Sequence, residues 1–183
     1  MDKIISFNYT MNKEDLIKFH ANHILKCKSF KKANICYLAL CWFFICTLIY
    51  IFPKNFGSII SILILILTTL FSHKIFIIKF KRKLKKIYSS EEKSYMFKPT
   101  EINICKTGIS VYIDSIEKIY TWNDINFIHM IDDYLIISLY KKKYLYILCE
   151  DESEFDKEQF NKFINTETNK FVYNCYPENL KYN

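Results

Sequence analysis

The chain has 183 residues, 26 Lys and Arg against 19 Asp and Glu for a formal net charge of +7, and 51% hydrophobic residues. That length allows one soluble domain of ordinary size beside a membrane segment, and only two glycines and three prolines exclude long flexible linkers and several glycine-rich phosphate-binding motifs. Seven cysteines form no CxxC pair, so they read as reduced thiols acting as small hydrophobes, not as a disulfide framework.

Ile5 to Thr10 alternates in polarity and fits a short strand. Asn12 stands at an N-cap position, with Glu14 and Asp15 in the following turn, where acids suit a helix dipole. A helix from about Lys13 would carry Leu16, His20, His23, Cys27 and Phe30 near one face and continue into the apolar run that begins at Ile35. Residues 1–33 therefore read as an N-terminal strand and a juxtamembrane helix. His20, His23 and Cys27 are competent zinc ligands at i, i+3 and i+7. The same spacing makes a semi-polar packing stripe, and no fourth ligand stands nearby, so no metal or other cofactor is assigned.

Two apolar runs, Ile35 to Phe52 and Ile59 to Ser72, contain no charge and are separated only by Pro53 to Ser58. The first spans about 27 Å as a helix, close to the thickness of a bilayer's hydrocarbon core. We read a transmembrane hairpin: helix 34–52, external loop 53–58, helix 59–78. Lys26, Lys28, Lys31 and Lys32 precede it, many basic residues come after it, and the loop carries Lys54 alone. The positive-inside rule then places both termini in the cytoplasm of a multi-pass cell-membrane protein. The missing intramembrane charges argue against a pump or ion-coupled carrier. Ser58, Ser61, Thr68 and Thr69 fit helix–helix or backbone contacts.

Residues 79–94 read as a basic juxtamembrane helix and linker. Lys79, Lys81, Arg82, Lys83, Lys85 and Lys86 are candidates for contact with anionic lipid headgroups, a role their position favours over nucleic-acid binding. Ile75, Phe76, Ile78, Phe80, Leu84 and Ile87 interleave with the charges, as in a helix that continues and leans on something apolar.

From Tyr95 the period changes from helix to strand. About seven antiparallel strands are expected near Tyr95, Ile102, Val111, Ile119, Ile128, Ile137 and Tyr146, with turns at Lys106-Thr107-Gly108, Asp114-Ser115, Asp132-Asp133 and Lys141 to Lys143. An amphipathic helix comes next, with Phe155, Phe160, Phe163 and Ile164 on one face and Asp151 or Ser153 as cap. Strands followed by one helix suggest a bent sheet or partly open barrel closed at one end. Trp122 reads as a core or sheet-corner anchor, Asn123 and Asp124 as one helical turn, Asp132 and Asp133 as a solvated hairpin turn, and His129 as a core-edge histidine. The tail 167–183 either docks through Phe171, Tyr173 and Tyr176 or stays mobile.

The order of these features resembles the YcxB-like family of bacterial membrane proteins. The residues that carry it are Phe7-Asn8-Tyr9-Thr10, Lys13-Glu14-Asp15, the two spans and basic exit, Thr107-Gly108-Ile109, Tyr120 to Ile125, Asp132 to Leu135, and Phe160 with Phe163. The resemblance reaches to about Thr166 and implies two transmembrane helices and a C-terminal domain, 95–166, related in shape to pleckstrin-homology (PH) folds. The family commonly has Pro-Lys after its last strand, where this chain has Cys149-Glu150. No GxSxG elbow, HExxH or spaced ligand cluster occurs, so no enzyme is expected. The function read from the sequence is an α+β, membrane-anchored interaction module binding a protein, peptide or anionic lipid surface. The alternatives are a structural or homo-oligomeric membrane component, or a protein answering envelope stress.

Overall fold

A computed structural model describes residues 3–51, 56–140, 143–149 and 156–177. They divide into two compact units, Met1–Leu16 with Ile87–Asn183, and Ile17–Lys86.

The first unit contains two four-stranded sheets. β1 (Lys3–Tyr9), β2 (Thr100–Cys105), β3 (Gly108–Ile113) and β4 (Ile116–Thr121) form one antiparallel sheet in that order. β5 (Ile125–Ile131), β6 (Tyr134–Leu139), β7 (Lys143–Leu148) and β8 (Val172–Tyr173) form the other, in the order β7-β6-β5-β8. The alternating residues read from the sequence become the core: Ile102, Ile104, Ile109, Val111, Leu135, Ile137 and Ile147 are all buried. α5 (Lys157–Glu167) adds Phe160, Phe163 and Ile164 to the same cluster. Its cap is Asp156, whose carboxylate accepts from the Glu158 and Gln159 amides at 2.9 and 3.0 Å; the expected caps Asp151 and Ser153, and Phe155, lie outside the described residues.

Turn chemistry sets the register. Cys105 faces Gly108 across the β2–β3 hairpin. Gly108 has φ 155°, and a Cβ there would lie 2.1 Å from the Tyr120 carbonyl oxygen of β4, so only glycine fits. Asp114 and Ser115, at φ 51° and 65°, make the β3–β4 turn in the left-handed conformation that matches strand twist in a tight hairpin. Asp132, at φ 51°, turns β5 into β6.

Four expectations need correction. The segment at Tyr95 is not a strand but a 3-10 turn, Tyr95–Phe97, after the short α4 (Glu91–Ser94); Pro99 and the exposed Lys98 leave it no ladder partner to alternate against. Among the described residues the strand number is eight, because β1 joins β2 over six registered pairs from Lys3↔Cys105 to Tyr9↔Thr100, and β8 adds to β5. The sheets are separate and do not close into a barrel, and β5–β8 is parallel. Finally, α1 (Lys13–Ile24) does not run into the first apolar helix. It ends in a turn with Lys26 N–H on the His23 carbonyl at 3.0 Å and Cys27 N–H on Ile24 at 3.2 Å, before α2 begins at Lys28.

The second unit is dominated by α2 (Lys28–Ile51) and α3 (Phe56–Tyr88), both long and apolar enough to cross a membrane. Phe30 at the start of α2 meets Phe76 and His73 late in α3, with ring centroids 4.3 and 5.9 Å away, so the helices run antiparallel. Their hydroxyls bond their own helices: Thr47 to the Phe43 carbonyl at 2.8 Å, Thr68 to Ile64 at 2.7 Å, and Thr69 to Leu65 at 2.8 Å. Leu40, Phe43, Tyr50, Leu63 and Leu70 are exposed by 58–87%, an apolar surface that a protein in water rarely presents.

Candidate interaction surface

α3 has 33 residues, about 50 Å at 1.5 Å each, against roughly 30 Å of hydrocarbon in a bilayer. The surplus is its basic end. Phe80 and Leu84 are buried at i, i+4, with the Phe80 ring 5.8 Å from Phe76 one turn earlier. That spacing places the charges on the remaining circumference: Lys79, Arg82, Lys83, Lys85 and Lys86 are exposed and Lys81 is half-buried. The helix thus buries one apolar face, as its interleaved pattern implies, and presents a dense positive surface with the rest.

His20 and His23 are buried side chains of α1. The Phe19 ring lies 5.4 Å from His20 and 4.6 Å from His23, and the Cys27 thiol donates to the His23 carbonyl at 3.6 Å. Burial, assisted by the neighbouring His23, pushes the His20 pKa down to about 3. Among the described residues no three His, Cys, Asp or Glu side chains gather where they could hold a metal. The donor stripe is packed as a semi-polar core.

In the β unit, Trp122 begins the 3-10 turn Trp122–Asp124 that leads from β4 into β5. Its indole N–H donates to the Lys106 and Cys105 carbonyls at 2.9 and 3.3 Å, and its ring lies 5.9 Å from Phe163. Asp124 accepts from the Thr121 amide and hydroxyl at 2.9 and 2.7 Å, and these bonds lower its pKa. Asp133 pairs with Lys157 at 3.3 Å, tying the β5–β6 turn to α5. These residues join elements to one another; they do not converge on a reactive centre.

An open polar groove of about 490 Å³ lies beside the ends of β1, β2 and β3, lined by Asn8, Tyr9, Thr100, Glu101, Tyr112 and Asp114 among others. Four of its polar side chains, Tyr9, Glu101, Tyr112 and Asp114, are engaged by neighbours. Tyr9 donates to the Tyr146 carbonyl at 2.9 Å, Asn103 to Glu101 at 2.9 Å, Tyr112 to Glu117, and Asp114 pairs with Lys98. Burial raises the Tyr9 hydroxyl pKa well above its usual value.

The sequence leaves the tail 167–183 open between docking and mobility; in the structure its segment from Val172 to Cys175 docks on β5, while Phe171 stays exposed. Val172 and Tyr173 pair with Ile128 and His129 of β5, and His129 Nδ1 lies 2.7 Å from the Cys175 carbonyl oxygen. A carbonyl only accepts, so Nδ1 carries the proton. The β-prone triplet Phe171-Val172-Tyr173 is the one signal that marks this strand in advance.

No family model, curated protein or solved structure matches the chain.

Proposed function

We propose that the chain is a two-span membrane protein of the YcxB-like kind, whose hairpin holds a non-catalytic, PH-like interaction module at the cytoplasmic face. The observation that carries this reading is α3, a single helix passing from charge-free apolar residues into an exposed basic surface. Such a helix end lies well on an anionic leaflet, where each Lys or Arg contributes about 1 kcal/mol. The β unit supports it independently: β1 precedes the hairpin, β2 comes after it, and the two are paired. Whatever lies between them must leave and return to the same side, which requires an even number of crossings. Two meanders closed by one helix are also the layout that the PH-like resemblance implies.

Orientation is tested with single cysteines in a cysteine-free background of the full chain. A membrane-impermeant maleimide should label Asn55→Cys in intact cells and reach Cys175 only after lysis. Labelling of Cys175 from outside would overturn the reading.

A further inference from the structure

We propose that the edge of β5 opposite β6 is a strand-addition site for an extended peptide of a partner protein, occupied in cis by the chain's own segment 171–177. This deepens the interaction-module reading and rests on it. β5 pairs with β6 from Ile125↔Leu139 to Ile131↔Tyr134, yet its other edge meets β8 at only two registered pairs. Among the described residues the other strand pairings are antiparallel, whereas this one is parallel. A strand edge offers N–H and C=O groups to any extended chain, and added strands recur as a mode of peptide recognition.

The tail shows what the edge accepts. Val172 packs half-buried against the core. Tyr173 sets its ring 6.1 Å from Phe127 and 5.4 Å from His129. Two residues further on, the Cys175 carbonyl takes the hydrogen bond of His129 Nδ1 at 2.7 Å. The recognised pattern is a β-branched residue facing in, an aromatic residue facing out, and a backbone carbonyl two positions later.

Among the described strands the tail is also the least firmly held. β1 is fixed by six registered pairs and β8 by two, while Phe171 and Tyr173 remain 70% and 41% exposed. Strands held this lightly open locally at little cost. A tethered occupant competes at an effective concentration of order mM, so a partner must gain contacts that the tail does not make. β5 supplies them. Phe127 is 52% exposed, and among the described residues β8 is registered with neither Asn126 and Phe127 nor Met130 and Ile131. A longer extended segment would pair along those positions.

The test uses the full chain in nanodiscs, a chain stopped after Lys170, and full-length Val172→Asp, which keeps the tail but spoils its inward contact. The probe is a labelled peptide of residues 170–177 carrying Cys175→Ser, read by fluorescence anisotropy. The stopped and Val172→Asp chains should bind it at least tenfold more tightly than the unaltered chain, and the peptide with Val172→Asp should not bind. Equal affinity for all three chains overturns the proposal. So does absence of binding to a variant whose Trp122 emission, read in a Trp42→Phe background, shows the domain folded, or dimerisation of the stopped chain without peptide binding. Cysteine labelling on the same samples separates the two readings: correct orientation without peptide binding removes the strand-addition site alone, and reversed orientation removes the membrane reading.

Discussion

Replacing Gly108 with alanine tests the register of the first sheet at its tightest point. The new Cβ would lie 2.1 Å from the Tyr120 carbonyl oxygen and 2.9 Å from Thr121 Cα, both backbone atoms of β4. Neither can swing away as a side chain would, because Gly108↔Thr121 and Ile109↔Tyr120 are consecutive pairs of the β3–β4 ladder. A non-glycine residue at such a φ costs about 1–3 kcal/mol, and displacing the end of β4 forfeits a backbone hydrogen bond of about 1 kcal/mol. The expected loss is about 3 kcal/mol. With a urea dependence of about 1–3 kcal/mol per M, the unfolding midpoint should fall by about 1–3 M. Trp122 emission reports the transition in a Trp42→Phe background, since these are the two tryptophans of the chain. Ser115→Gly is the opposite-signed control. Ser115 sits at φ 65°, so glycine there relieves left-handed strain and should hold or raise the midpoint. A Gly108→Ala midpoint within about 0.3 M of the unaltered chain would refute the packing argument, given that urea dependence.

Phe160 is fully buried at the centre of the helix–sheet contact, and Phe160→Ala should cost about 3–5 kcal/mol in the same urea titration. His20 has its pKa pushed down to about 3 by burial, from an ordinary 6.5, so the unfolded chain binds the extra proton between those values. Its contribution is complete above pH 6.5 and is lost as pH falls toward 3; urea midpoints measured from pH 7 to pH 4.5 should decline less steeply for His20→Leu, and equal slopes would show that another group titrates. Burial pushes the Cys149 thiol up to about 12, whereas Cys175 is exposed. Mass spectrometry after N-ethylmaleimide at pH 8 should therefore find Cys175 modified and Cys149 intact until urea is added.

Much of this arrangement is legible in the residues. The alternation of Ile102 with Ile104 and of Leu135 with Ile137 reports burial on one face of a sheet. The types Trp122, Asn123 and Asp124 report a corner, because indole needs a partner for its N–H and Asp an amide to cap. What escapes is non-local. Nothing in Ile5-Ser6-Phe7 says that its neighbour in the sheet lies beyond two apolar helices, since pairing depends on where those helices return the chain. Nor does Asp156 stand out as a cap beside Asp151 and Ser153, because the choice among adjacent cap residues depends on the docking of Phe160. The basic exit is legible both as charge and as an interleaved apolar stripe, and Phe80 and Leu84 of that stripe are buried.

The pairing of β1 with β2 has a consequence in time. At 5–20 residues per second, synthesis of residues 10–99 takes about 5–20 s, and throughout that interval β1 has emerged while its partner does not yet exist. Under the proposed topology, the two strands can meet only after the helices have entered the bilayer and come back. A hairpin that stalls halfway would strand them on opposite sides and leave β2 with a bare edge. Completion of the sheet thereby becomes a checkpoint on membrane insertion, with a correctly threaded chain passing into the folded state and a misthreaded one left recognisably unfinished to the cell's proteases.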